Sequence, residues 1–185
     1  MGLLKLVEAP AYIAGGKVIF KGEDLMSMSD EQLRKIRWRH IAFSPQSSMN
    51  ALNPVTRVYD QFTDAMSAHR YKVPERKPRK YVSGLLKAIA LSPRIHREYA
   101  FELSGGMRQR VIISMGMSLN PELIIADEPT SSLDVVVQRG VLELLTGLRD
   151  ERRTSILLVS HDIATLFEVV DRLAIIYAGK IMEIQ

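Results

Sequence analysis

Leu123-Ile124-Ile125-Ala126-Asp127-Glu128-Pro129-Thr130 is the stretch on which the reading of this chain turns. Four apolar residues run straight into two adjacent carboxylates and a proline. Such a run reads as a short strand buried on both faces. The carboxylates fall just past its carboxyl end, where open parallel sheets place their ligands. Successive side chains on a strand point opposite ways, so neighbouring acids can serve two tasks. One can hold a metal, directly or through water, while the other orients or deprotonates a nucleophile. The same residues also suit a strand that ends in a solvated acidic turn, and only the flanking segments separate the two readings.

Downstream, Ser131-Ser132-Leu133-Asp134 leads into a helix with apolar residues at 133, 136, 137, 141, 144, 145 and 148, the period of a helix packed on a sheet. Asp134 is either a functional acid or a plain helix-start charge. Ile156-Leu157-Leu158-Val159 is a second buried strand, closed by Ser160-His161-Asp162. His161 thus ends at the same sheet edge as the paired acids, although a lone histidine there is commonly structural. Leu173 to Tyr177 and Lys180 to Ile184 read as a hairpin turning at Ala178-Gly179.

Upstream, Leu103-Ser104-Gly105-Gly106-Met107-Arg108-Gln109-Arg110 opens a helix that runs to about Leu119. Ser104 is a good N-cap. The glycines leave bare N–H groups at the positive end of the helix dipole, which is an anion site or else simply a capped helix with room for close packing. Ile41-Ala42-Phe43 is a further strand, ending in Ser44-Pro45-Gln46, and the Ser-, Asn-, Pro- and Met-rich run to Pro54 reads as a loop. Gln46 can offer a hard cation its carbonyl oxygen, or stand as a surface amide. Helices are expected over Val55 to His69 and Tyr81 to Leu91. Between them, His69 to Lys80 holds six Lys or Arg against one Glu, which suits phosphates or a solvated connection. Earlier still, Ser29 and Gln32 form a capping box before a short basic helix, Leu33 to Arg37. Lys17 to Gly22 alternates as an antiparallel strand, and Leu3 to Val7 reads as the tail of a helix.

The bulk numbers set limits. A chain of 185 residues that is 46% hydrophobic can bury one ordinary core with a small second lobe. The net charge of +4 is too small to name a partner. With no cysteine, disulfides, thiolate zinc sites and iron–sulfur clusters are excluded within these residues. No apolar run approaches the roughly 20 residues that span a bilayer. Neither a secretory signal pattern nor a complete myristoylation motif opens the sequence.

Taken together, the order is strand–Gln, capped Gly-Gly helix, strand–Asp-Glu, helix, strand–His, hairpin. This order resembles the ATP-binding subunit of an ABC transporter. Leu103 to Arg110 is similar to the family's signature motif, Leu123 to Glu128 to its Walker B strand, and Ser132-Leu133-Asp134 to its D-loop. Gln46 matches the Q-loop glutamine and His161 the switch histidine. Within the family, Phe43-Ser44-Pro45-Gln46 through Met49-Asn50-Ala51-Leu52-Asn53-Pro54 resembles the oligopeptide, dipeptide and nickel import branch, as do Glu102-Leu103-Ser104 and Asp134-Val135-Val136-Val137-Gln138.

The resemblance implies an α/β fold: a partial P-loop NTPase (RecA-like) core with a mostly parallel sheet, an inserted α-helical subdomain and a C-terminal β-hairpin. It divides the chain into 1–45 and 120–185 as two parts of the ATP-binding core, and 46–119 as the helical subdomain. It implies ATP and Mg²⁺, with Asp127 and Gln46 toward the metal, Glu128 polarising the attacking water, and His161 contacting the γ-phosphate. Ser104, Gly105, Gly106, Gln109 and Asp134 would complete the nucleotide site of a second ATP-binding subunit, paired head to tail. Transmembrane permease subunits, and through them a substrate-binding protein, are the other implied partners, at the cytoplasmic face of the membrane and without nucleic acid. Two alternatives stay open: a non-catalytic half-site module that pairs with a competent partner, and a soluble ABC ATPase acting on nucleic acid or ribosomes.

One departure stands against these matches. The phosphate loop Gly-x-x-x-x-Gly-Lys-[Ser/Thr] is absent, since Gly16-Lys17 and Gly179-Lys180 lack both the earlier glycine and the following Ser or Thr. The expectation is therefore that the 185 residues start just downstream of the phosphate cradle and, alone, bind ATP poorly and hydrolyse it negligibly.

Overall fold

The computed structural model describes residues 1–46, 51–73, 77–131 and 133–185, and the side chains at 136, 148, 151 and 152 lie outside that description. Ser47 to Asn50 of the loop after Gln46, Pro74 to Arg76 of the basic run, and Ser132 of the stretch before Asp134 lie outside the described residues. In chain order the elements are β1 (Ile19–Phe20), β2 (Glu23–Asp24), α1 (Asp30–Ile36), β3 (Ile41–Ser44), α2 (Val58–Ala68), α3 (Pro78–Ala88), α4 (Gly105–Gly116), β4 (Leu123–Asp127), α5 (Val135–Arg152), β5 (Ser155–Val159), α6 (Ile163–Val169), β6 (Ala174–Tyr177) and β7 (Lys180–Ile184).

β3, β4 and β5 form a parallel sheet with β4 in the middle. Ser44 lies level with Ala126, and Ala126 with Leu158. The side chains then sort by period two. Ala42 and Ile124 enter one apolar cluster with Phe62, Leu86, Val111, Val141 and Leu145 from the helices. Ile41 and Ile125 enter a second cluster, on the opposite face, with Leu4, Leu25 and Leu33. A strand buried on both faces is what the apolar run of β4 requires, and Ile124, Ile125 and Ala126 are all buried. The helical residues between 58 and 119 thus share one core with β4 and α5. β6 and β7 pair antiparallel as a hairpin, and β1 and β2 do the same.

Local chemistry explains most element boundaries. The capping box of Ser29 and Gln32 is formed. Pro78 stands in the first turn of α3, which therefore begins before Tyr81. α2 begins at Val58, later than expected, because Arg57 is extended and occupies the cap position. α4 ends at Gly116, and residues 117 to 119 continue as a 3₁₀ turn closed by left-handed Asn120. Two expectations need correction. Leu3 to Val7 is not a helix tail: only Gly2–Leu4 makes a 3₁₀ turn, ended by Lys5 at φ 51° and pinned by the Arg37 guanidinium on the Leu4 carbonyl at 2.7 Å. β5 is not buried throughout: Leu157 and Val159 are 43% and 46% exposed, on a strand that pairs with β4 alone among the described residues.

Candidate functional site

The site grows from the carboxyl ends of the three parallel strands. Asp127 is the last residue of β4 and Glu128 the first beyond it. Glu128 adopts φ 49°, a left-handed conformation that costs a non-glycine residue free energy, more so before Pro129. The surroundings impose it. The Glu128 N–H donates to the Val159 carbonyl at 2.9 Å, and its carbonyl accepts from both the N–H and the hydroxyl of Ser131, at 3.2 and 2.9 Å. Pro129 and Thr130 are buried behind it. The Gln138 amide, reaching back from α5, donates to the Thr130 carbonyl at 3.2 Å. Ser131 and Gln138 hold the turn that presents Glu128. Gln138 lies in the matched stretch 134–138, but nothing in its spacing marked it as a brace, and the strain at Glu128 has no local sequence signal beyond the following proline.

His161 arrives from the adjacent strand. It lies two residues past Val159, which pairs with Asp127. Glu128 Oε1 accepts from the His161 backbone N–H at 2.9 Å and meets His161 Nδ1 at 2.7 Å. The pair is asymmetric: the Glu128 side chain is 12% exposed and the imidazole 84%. With Glu128 ionised, Nδ1–H donates to it, which turns Nε2 outward. Nε2 is then the ring nitrogen left to face a ligand. Oε2 of Glu128 accepts no hydrogen bond among the described residues, which leaves it for a water. The neighbouring Asp162 caps α6, and its hydrogen bonds from Thr165 hold its carboxyl below the usual aspartate range. Gln46 is exposed, two residues past Ser44, and so lies at the same edge on the other side of β4.

Among the described residues, no group of three His, Cys, Asp or Glu could hold a metal by itself. The donors fit a magnesium ion nonetheless. Such an ion takes one or two protein oxygens and completes its shell with water and substrate phosphates. The Asp127 carboxylate and the Gln46 amide oxygen are donors of that kind.

The Gly-Gly helix forms a second locus. Ser104 caps α4, accepting from the Met107 N–H at 3.3 Å, and is exposed. Gly105 is half-buried and Gly106 buried. A Cβ built on Gly106 would overlap Val137 Cγ1, so a side chain there is incompatible with the packing of α4 on α5. Asp134 caps α5 through the Val137 N–H at 3.0 Å. The starts of α4 and α5 therefore abut, which brings Ser104, Gly106 and Asp134 into one region. Gln109, by contrast, is buried, 5% exposed. The structure brings Glu128 and His161 into contact, sets Asp127 and Gln46 at the same sheet edge, and gathers Ser104, Gly106 and Asp134 at the abutting helix starts.

The chain is similar to known proteins over most of its length. The profile of the ABC transporter family matches residues 2–131. The chain is 40% identical over 172 residues to the dipeptide transport ATP-binding protein DppD of Caldanaerobacter subterraneus, covering 92% of this chain and 53% of the relative. It is 37% identical over 184 residues to the oligopeptide transport ATP-binding protein OppD of Bacillus subtilis, covering 98% and 51%. The chain thus spans about half the length of these curated relatives. Among solved structures it is similar to the ATP-binding cassette MJ0796, in a dimeric post-hydrolysis state bound to ADP and Pi, with a TM-score of 0.79, 27% identity and coverage of 93% of this chain and 73% of that one. On the family match, these relatives and the shared cassette fold, the chain belongs to the ABC transporter family.

Proposed function

We propose that these residues are the hydrolytic part of an ATP-binding subunit that energises an importer of dipeptides or oligopeptides, or of nickel. The observation that carries the reading is the Glu128–His161 contact at the carboxyl end of the central parallel strand. ATP hydrolysis needs positioning and charge neutralisation more than covalent help. Glu128, held by Ser131 and braced through Gln138, orients and polarises the attacking water with the oxygen that does not meet His161. His161 is kept in place by Glu128 and offers Nε2 to the γ-phosphate. Asp127 and Gln46 hold the magnesium ion, which when bound neutralises developing phosphate charge. Ser104, Gly105 and Gly106, with Gln109 behind them, serve the nucleotide of a second subunit from the abutting helix starts, and Asp134 links the two sites. The dimeric state of the solved cassette and the names of the relatives support a paired subunit working with permeases. On this reading residues 46–119 are the helical subdomain, residues 1–45 and 120–185 belong to the ATP-binding core, and the subunit sits peripherally at the cytoplasmic face of the membrane. No helix among the described residues is long and apolar enough to cross it.

These residues carry no lysine-bearing phosphate loop. The isolated 185 residues are therefore expected to hydrolyse ATP negligibly, and turnover at the level of a complete subunit would overturn that expectation. In a polypeptide joining these residues to a phosphate loop, Glu128→Gln is expected to lower turnover at least about 100-fold while ATP still drives pairing. Steady-state turnover with sedimentation in ATP checks both outcomes, and surviving turnover removes Glu128 from its role.

A further inference from the structure

The turn that carries Glu128 is held from two sides. On the sheet side, the Glu128 N–H donates to the Val159 carbonyl and its carboxylate meets His161. On the helix side, the bond from the Gln138 amide to the Thr130 carbonyl, at 3.2 Å, is the only hydrogen bond between α5 and residues 128–131 among the described residues. The remaining bonds lie within the turn and the segment leaving it: Ser131 donates to the Glu128 carbonyl, and the Leu133 N–H to the Thr130 carbonyl at 3.3 Å. They fix the turn's shape but do not tie it to α5.

Gln138 stands on a helix start that is itself fixed. Its N–H donates to the Asp134 carbonyl at 2.9 Å, and the Asp134 side chain accepts from the Val137 N–H at 3.0 Å. Val137 packs against Gly106 of α4. The half-buried Gln138 side chain thus carries the position of the α5 start to the Thr130 carbonyl. From there to Glu128 the chain has little slack, because Pro129 is fully buried and its ring locks φ. Glu128 stands at φ 49°, a conformation that persists only where its surroundings over-determine it. A misplacement of about 1 Å in a group that orients a reactant can cost about 100-fold in rate.

We propose that Gln138 is a positioning residue for hydrolysis: by its hydrogen bond to the Thr130 carbonyl it sets where the Glu128 carboxylate stands relative to α5. The inference rests on the proposed role of Glu128. Its test uses a complete subunit that joins these residues to a phosphate loop, with steady-state ATP turnover, sedimentation in ATP and urea denaturation as readouts. Gln138→Met keeps the length of the side chain and removes the donor. It is expected to lower kcat about tenfold, with KM for ATP within about twofold and ATP-driven pairing retained. Gln138→Arg places its Nε–H as many bonds from Cα as the glutamine amide, and is expected to recover most of the lost kcat. Because Gln138 acts through Glu128, the double variant E128Q/Q138M is expected to turn over no more slowly than E128Q alone. Should Gln138→Met fail to fold, Gln138→Glu, equally long and without a donor when ionised, carries the same expectations. A kcat within about twofold of the native value, a loss confined to KM, additive losses in the double variant, or no recovery in Gln138→Arg would overturn the proposal. Turnover surviving in E128Q would instead remove the reading beneath it, so the two failures are distinguishable.

Discussion

The helical region around α2, α3 and α4 and the C-terminal region around α6, β6 and β7 are both rich in large apolar residues, yet they bury them very differently. Phe62, Leu86 and Val111 are fully buried, in one apolar cluster that joins the helices to Ile124 of β4. Phe167 is 62% exposed, and Ile176 and Ile181 are each above 60%. Amphipathic sequence creates a face that asks for a partner, but only the tertiary arrangement decides whether one is present. In the helical region three helices answer one another. In the C-terminal region the hairpin pairs only with itself among the described residues.

The largest test of this contrast compares one aromatic from each region. Phe62→Ala is expected to cost about 3–5 kcal/mol of unfolding free energy, whereas Phe167→Ala is expected to stay within about 0.5 kcal/mol. Urea denaturation of both variants measures the gap, and equal costs would erase the distinction. A smaller effect is expected where the two candidate loci join. Gly106→Ala drives a methyl group into Val137 and should cost about 1–3 kcal/mol. Val137→Ala in the same chain should return part of that loss, and the double-mutant cycle reads the contact directly.

The smallest expected effect is a pH dependence. Burial beside the guanidinium groups of Arg34 and Arg39 holds His69 below the ordinary imidazole range. The unfolded chain then binds the proton more readily than the folded one. The penalty is absent above the unfolded value of about 6.5 and grows as the pH falls through it. Between pH 7.5 and 5.5, denaturation midpoints should therefore fall more in the native chain than in His69→Gln. The reverse order would show that the proton favours the fold.

Much of the candidate site was legible because its cues are local. The apolar run before Asp127, the cap at Ser104 and the strand before His161 each announce themselves within a few residues, and so does the fold class they compose. The braces were not legible. Ser131 and Gln138 act on backbone carbonyls in the loop after β4, and hydrogen bonds to carbonyls leave no residue pattern. The exposure of Leu157 was hidden for a similar reason, since an apolar run reads alike in a central strand and at an edge.

By itself, then, the sequence determined the strands, the helix starts and the chemistry available at their ends, because side-chain type and spacing act over single turns of chain. Tertiary structure alone decided which of those ends meet. It put Glu128 against His161 and laid Gly106 on Val137. Each depends on the register of elements distant in sequence, which no local pattern encodes.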